Sequence, residues 1–164
     1  MTKFLRIVLT SFVLISASLP ASGQNQAGGI PAAEITGLDA KLEKAGESAS
    51  AARKKLAIRR VIREGEALLK KHPTAPNRYE ALGVLFRSQQ SLVSLDNSTV
   101  NRKTFLETSK KLAAAPNEYA ALRLDADLLL TQAESARKGA DSHARSDALR
   151  PLVERYRDTD VEPK

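Results

Sequence analysis

The chain has 164 residues, 42% of them apolar but only 4% aromatic, and a formal net charge of +7. That is a one-domain length with enough Leu, Ala, Val and Ile for a core of closely packed helices. Cysteine is absent, which excludes from these residues a disulfide framework, thiolate metal sites, a cysteine nucleophile and a lipid-modified N-terminal cysteine.

At the start, Lys3 and Arg6 precede an apolar run from Ile7 to Ile15 broken only by Thr10 and Ser11, and Ala21-Ser22-Gly23 offers small residues for cleavage. The pattern predicts a secretory signal peptide over residues 1–23. The competing reading is an uncleaved anchor, but the apolar stretch is shorter than the roughly 20 residues that span a bilayer. Export to the periplasm or the extracellular space is expected, with no integral membrane segment after cleavage. Losing Lys3 and Arg6 from the 26 basic residues leaves an excess of five over the 19 acidic ones. That excess favours solubility and a weak pull toward anionic surfaces.

Residues 24–36 contain Gly28, Gly29 and Pro31 among small polar residues and read as a flexible linker. A helical domain is expected over 37–160, and 161–164 reads as a tail or a truncation point. Leu38, Leu42, Ala45, Ala49, Ala52 and Leu56 form a narrow seam that repeats every seven residues and suits self-association. After Leu56 the seam changes phase to Ile58, Ile62, Gly65, Leu69 and His72. This predicts one bent helix or two helices meeting near Arg59-Arg60, ended by Pro73. The next helix is expected from Asn77, with Glu80 completing a capping box, to about Leu95. A third is expected from about Asn101 to Ala114. The fourth carries Tyr119, Leu122, Ala126, Leu129, Ala133 and Ala136, widened by Leu124, Leu128 and Leu130, and is expected to be the central helix. The fifth, Ser142 to Arg157, contains Pro151, so it is expected to kink there or, as the less favoured reading, to have its first turn at Pro151.

Ala75-Pro76-Asn77-Arg78-Tyr79-Glu80-Ala81-Leu82 returns forty positions later as Ala115-Pro116-Asn117-Glu118-Tyr119-Ala120-Ala121-Leu122, with six of eight positions identical. Such spacing points to stacked helical units, each covering its neighbour's apolar face. The helical hairpins, their small residues and the Pro-containing turn before a Tyr resemble tetratricopeptide-like (TPR-like) repeats of bacterial envelope proteins. The resemblance spans about residues 51–160. It departs from that family in its 40-residue spacing and in lacking the Trp-Leu-Gly signature, of which Ala81-Leu82-Gly83 is a partial echo. The chain also looks like the helical N-terminal regions that precede thioredoxin-fold domains in exported redox proteins. The fold these likenesses imply is all-α: antiparallel helical hairpins stacked as a short solenoid.

Several residue groups invite a chemical reading. Lys55, Arg59 and Arg63 fall on one helical face at steps of four, a candidate face for an anionic partner, against which stands a merely solvated surface. No aromatic side chain is interleaved for base stacking, so no nucleic acid is expected. His72 and His143 lack metal-ligand spacing, and no metal or cofactor is expected. Asp141-Ser142-His143 reads as a helix start rather than a catalytic triad. Asp125 and Asp127 are two apart and cannot share a helix face as a catalytic pair. Tyr79 and Tyr119 are candidate residues of a concave face formed by the helices that start near Asn77 and Asn117, or core residues with hydroxyls at the rim. The function expected is a non-enzymatic exported module for protein–protein interaction or spacing, whose partner is a protein or a covalently following domain. The alternative is the helical N-terminal region of a thiol-disulfide oxidoreductase, thioredoxin- or peroxiredoxin-like, with its catalytic domain beyond Lys164.

Overall fold

Prolines and capping side chains set the helix ends. The computed structural model describes residues 28–157 together with 159 and 161, and it is all-helical there, with no strand among the described residues. In chain order the helices are α1 (Ala32–Gly46), α2 (Ala51–Lys71), α3 (Arg78–Leu95), α4 (Thr99–Ala113), α5 (Ala120–Arg137) and α6 (Ser142–Tyr156), with a 3-10 turn at Asn117–Tyr119 before α5. Pro73 follows the end of α2, and Pro116 follows the end of α4. Ser50, Ser98 and Asp141 each accept a hydrogen bond from a backbone N–H in the first turn of α2, α4 and α6. The signal peptide expected over residues 1–23 lies outside the described residues.

The start of the domain differs from its expected form. Ile30 is 3% exposed, its N–H donates to Asn77 Oδ1 at 2.8 Å, and its C=O accepts from Asn77 Nδ2 at 2.9 Å. The chain is therefore docked from Ile30 and helical from Ala32, within the stretch expected as linker. The expected Asn77–Glu80 capping box does not form, because the Asn77 carboxamide spends its donor and its acceptor on the backbone of Ile30.

The long bent helix also gives way to a different break. α1 ends at Gly46, and Ser50 restarts the chain as α2, its Oγ accepting from Arg53 N–H at 3.5 Å. α2 then runs through Arg59 and Arg60 without interruption. The seam from Leu38 to Leu56 is thus divided between two helices; Leu38 and Ala45 are buried while Leu56 is 67% exposed.

The central helix is α3, not α5. Ala81 to Phe86, Ser88, Gln89 and Leu92 are all buried, so α3 is covered around most of its circumference. It packs between α2 and α4, touches α1, and at Gly83 meets the methyl groups of Leu122 from α5. One apolar cluster joins Ile58, Ile62, Leu82, Leu85, Phe86, Phe105 and Leu112, with Phe86 and Phe105 rings 5.0 Å apart. A second gathers Ile30, Ile35, Leu38, Val61, Leu68 and Val84 under α1. α5 buries Arg123, Ala126, Asp127 and Ser135, whereas Leu129 is only partly buried against the first cluster. Its main neighbours among the described residues are α4 and α6, and Leu122, like Leu129, is only partly buried against the first cluster. α6 contains Pro151 and buries Tyr156 alone.

Candidate functional site

α2 and α4 flank α3 without closing over it, and the space between them is a groove with two widened parts. The first, about 480 Å³, is walled by Leu56, Ile62 and Leu92, with Arg59, Arg63, Gln89, Asn101 and Thr104 around it. The second, about 680 Å³, continues past Thr104 to Leu69, Leu82, Leu85 and Tyr79, and is rimmed by Glu66, Lys70, Arg78, Glu107 and Lys111. Thr104 borders both parts.

The end near Leu56 is built by the α3–α4 turn. Asp96 ends α3 and forms ion pairs with Lys55 and, at 3.4 Å, with Arg59. The Lys55 hydrogen bond, aided by Arg59, holds the Asp96 carboxyl below its ordinary value. Asn101 Nδ2 donates to the Asp96 C=O at 2.8 Å, and Asn101 N–H donates to Ser98 Oγ at 3.3 Å, which fixes the start of α4 against that turn. Of the three cations on the predicted basic face, Lys55 and Arg59 are thus drawn to Asp96, and Arg63 pairs with no carboxylate among the described residues.

The groove also contains a polar group that its sequence gave no reason to single out. Gln89 is 3% exposed, and neither its Oε1 nor its Nε2 has a hydrogen-bond partner among the described residues. Leaving a buried carboxamide unpaired costs roughly 1–3 kcal/mol for each group left unsatisfied. Its neighbour Ser88, equally buried, escapes that cost by donating to the Val84 C=O at 2.8 Å. At the other widening, His72 donates its backbone N–H to the Leu68 C=O at 3.0 Å, as befits a helix end. Its ring Nε2, however, is buried without a hydrogen-bond partner among the described residues.

Tyr79 and Tyr119 stand together, with ring centroids 5.3 Å apart. Arg78 lies over the Tyr79 ring at 4.9 Å and donates to its hydroxyl at 3.0 Å, while the Tyr119 hydroxyl donates to the Pro76 C=O at 3.4 Å. The pair ties the two copies of the repeated segment to each other. Tyr79 also borders the groove.

A separate polar cluster joins α5 to α6. Arg123 Nε donates to the Tyr156 oxygen at 3.0 Å, and the Tyr156 hydroxyl donates to Asp127 Oδ2 at 2.7 Å. The same carboxylate oxygen accepts from Arg155 at 2.8 Å. Arg123 also donates to Asn117 Oδ1 at 2.8 Å and to the Ala115 C=O at 3.4 Å. Burial, with the Asp127 bond adding to it, pushes the Tyr156 phenol up to about 12. These hydrogen bonds latch α5 to α6 and to the turn before α5. Asp125 stands apart from Asp127 and exposed. His143, also exposed, pairs with Asp147 at 3.1 Å, and Asp141 caps α6. Among the described residues no group of three His, Asp or Glu could hold a metal ion, and no helix is long and apolar enough to cross a membrane. Compared with protein-family models, with curated proteins and with solved structures, the chain finds no match.

Proposed function

We propose that the chain is an exported, non-enzymatic helical-repeat module of tetratricopeptide-like design that binds a protein partner in the groove between α2 and α4. The carrying observation is the unpaired carboxamide of Gln89 at a groove that also exposes Leu56 and Arg63. A spacer gains nothing from an exposed leucine beside a buried, unsatisfied amide. A binding site gains from both, because a partner relieves the desolvated groups it meets. The repeated segment supports the same reading at the level of architecture, since both copies lead into helices and their tyrosines pack against each other.

Panning a displayed library of random peptides on the immobilised protein tests the reading. Enrichment of a consensus that is retained by the wild type and lost on Leu56→Asp is the expected result. Absence of any consensus over repeated rounds, or a consensus indifferent to Leu56→Asp, overturns it.

A further inference from the structure

We infer that the Leu56 end of the groove recognises an extended acidic peptide segment, with Gln89 pairing to a peptide group of its backbone, Arg63 to an acidic side chain and Leu56 to a nearby aliphatic one. The inference rests on the protein-binding reading above and names the partner's chemistry.

The chemistry of Gln89 narrows the occupant first. Its Nε2 is a donor and its Oε1 an acceptor on one planar group, and both are vacant. A sulfate or a phosphodiester headgroup presents only acceptors and leaves Oε1 unanswered. A backbone peptide group offers C=O and N–H and answers the pair. Because the Gln89 amide is shielded from solvent, engagement requires its neighbours to move. Leu56, Arg59 and Arg63 at the same place are exposed side chains on α2 with the freedom to do so.

Charge narrows it second. Arg63 has no carboxylate partner among the described residues, and Arg59 meets Asp96 only at 3.4 Å while remaining about half exposed. A guanidinium fork matches a carboxylate in a bidentate way, which favours Glu or Asp on the incoming segment. The apolar wall narrows it third. Leu56 is 67% exposed at the mouth, with Ile62 and Leu92 behind it, a surface for an aliphatic side chain rather than for a sugar hydroxyl or a headgroup.

The probe is a fluorescein-labelled, end-capped decapeptide of Glu and Leu, followed by fluorescence anisotropy. It is compared with a Lys and Leu decapeptide and with phosphatidylglycerol vesicles. Wild type binds the Glu and Leu peptide and not the Lys and Leu one. Gln89→Leu and Arg63→Glu each weaken binding by about tenfold or more, the loss expected for a buried or charge-assisted hydrogen bond. Gln89→Leu also melts no lower than wild type, because it removes an unpaired amide, so its lost affinity is not lost folding. Arg63 is exposed and its replacement leaves the melting temperature in place. Equal affinity for the Glu and Leu peptide in wild type and both variants overturns this site while leaving the protein-binding reading intact. Preference for the Lys and Leu peptide overturns the charge assignment, and vesicle binding without peptide binding overturns the occupant. Failure to bind any peptide, together with a library that yields no consensus, overturns both.

Discussion

Tyr156 is fully buried, and its hydroxyl receives from Arg123 and donates to Asp127. Removing that one oxygen in Tyr156→Phe leaves the guanidinium and the carboxylate each short of a partner, with an expected destabilisation of about 1–3 kcal/mol in denaturant titration. The latch has a pH signature as well. The folded phenol titrates near 12 against an ordinary value of 10, so the folded state holds its proton longer than the unfolded chain does. Its contribution is complete below pH 10 and is lost as pH rises through the window from 10 to 12. Wild type should therefore lose stability more steeply than Tyr156→Phe over that window, and equal slopes would show that the phenol does not titrate there as described. Little of this was legible in the sequence, because Arg123, Asp127 and Tyr156 are brought together by tertiary packing and each reads locally as an ordinary helix residue. Gln89 was hidden for a related reason. Arg87-Ser88-Gln89-Gln90-Ser91 is a polar run, which signals a solvent face, yet the covering of α3 by its neighbours buries Ser88 and Gln89.

At the scale of elements, the helix ends marked by proline or by Asp141-Ser142 were readable, whereas the start of α1, the break between α1 and α2 and the order of importance of the helices were not. Pro73, Pro116 and Asp141-Ser142 placed boundaries that the structure keeps, because a missing N–H or a side-chain oxygen acts within one turn. Which helix lies in the middle depends on neighbours far along the chain. The leucines of α5 mark it as apolar all round, but α3 is the helix enclosed by others. Leu112→Ala, at a fully buried position in the main cluster, is expected to cost about 2–5 kcal/mol, while Leu129→Ala on α5 costs less than that range. A larger loss at Leu129 would return the centre to α5. The two helical glycines near the core separate local propensity from packing. A methyl group on Gly65 would meet Leu85 and Leu38 at 3.8–3.9 Å, an ordinary contact, so Gly65→Ala is expected to stabilise by about 0.5–1 kcal/mol. At Gly83 the same group would stand 3.0 Å from both Leu122 methyls, so the gain is offset by displacing that side chain. Thermal unfolding of the two variants checks the contrast, and a larger gain at Gly83 than at Gly65 would mean that α5 sits farther from α3 than described.

Across the whole molecule, the apolar clusters and the latch divide stability unevenly. Both clusters draw on α2 and α3, whereas α6 contributes to neither and is held by Tyr156 and Arg155 together with partly buried Ala148, Leu149 and Leu152. Pro151 also removes one backbone donor from α6, leaving it a ladder bond short. An element with few buried apolar contacts opens at a lower free energy than the centre of the core. Native-state hydrogen exchange should show the amides of α6 exchanging by local opening, and those of α3 only through global unfolding. Tyr156→Phe should then speed exchange in α6 more than in α3. The groove lies between α2 and α4, both anchored on α3, so its residues belong to the slow part of the molecule. Binding of the acidic peptide should therefore leave α6 exchange unchanged while protecting the middle of α2, around Leu56 to Arg63, and the first turns of α4. A protection pattern centred on α6 would place the partner on the other end of the chain, and uniform exchange rates across all helices would show that no such division of stability exists.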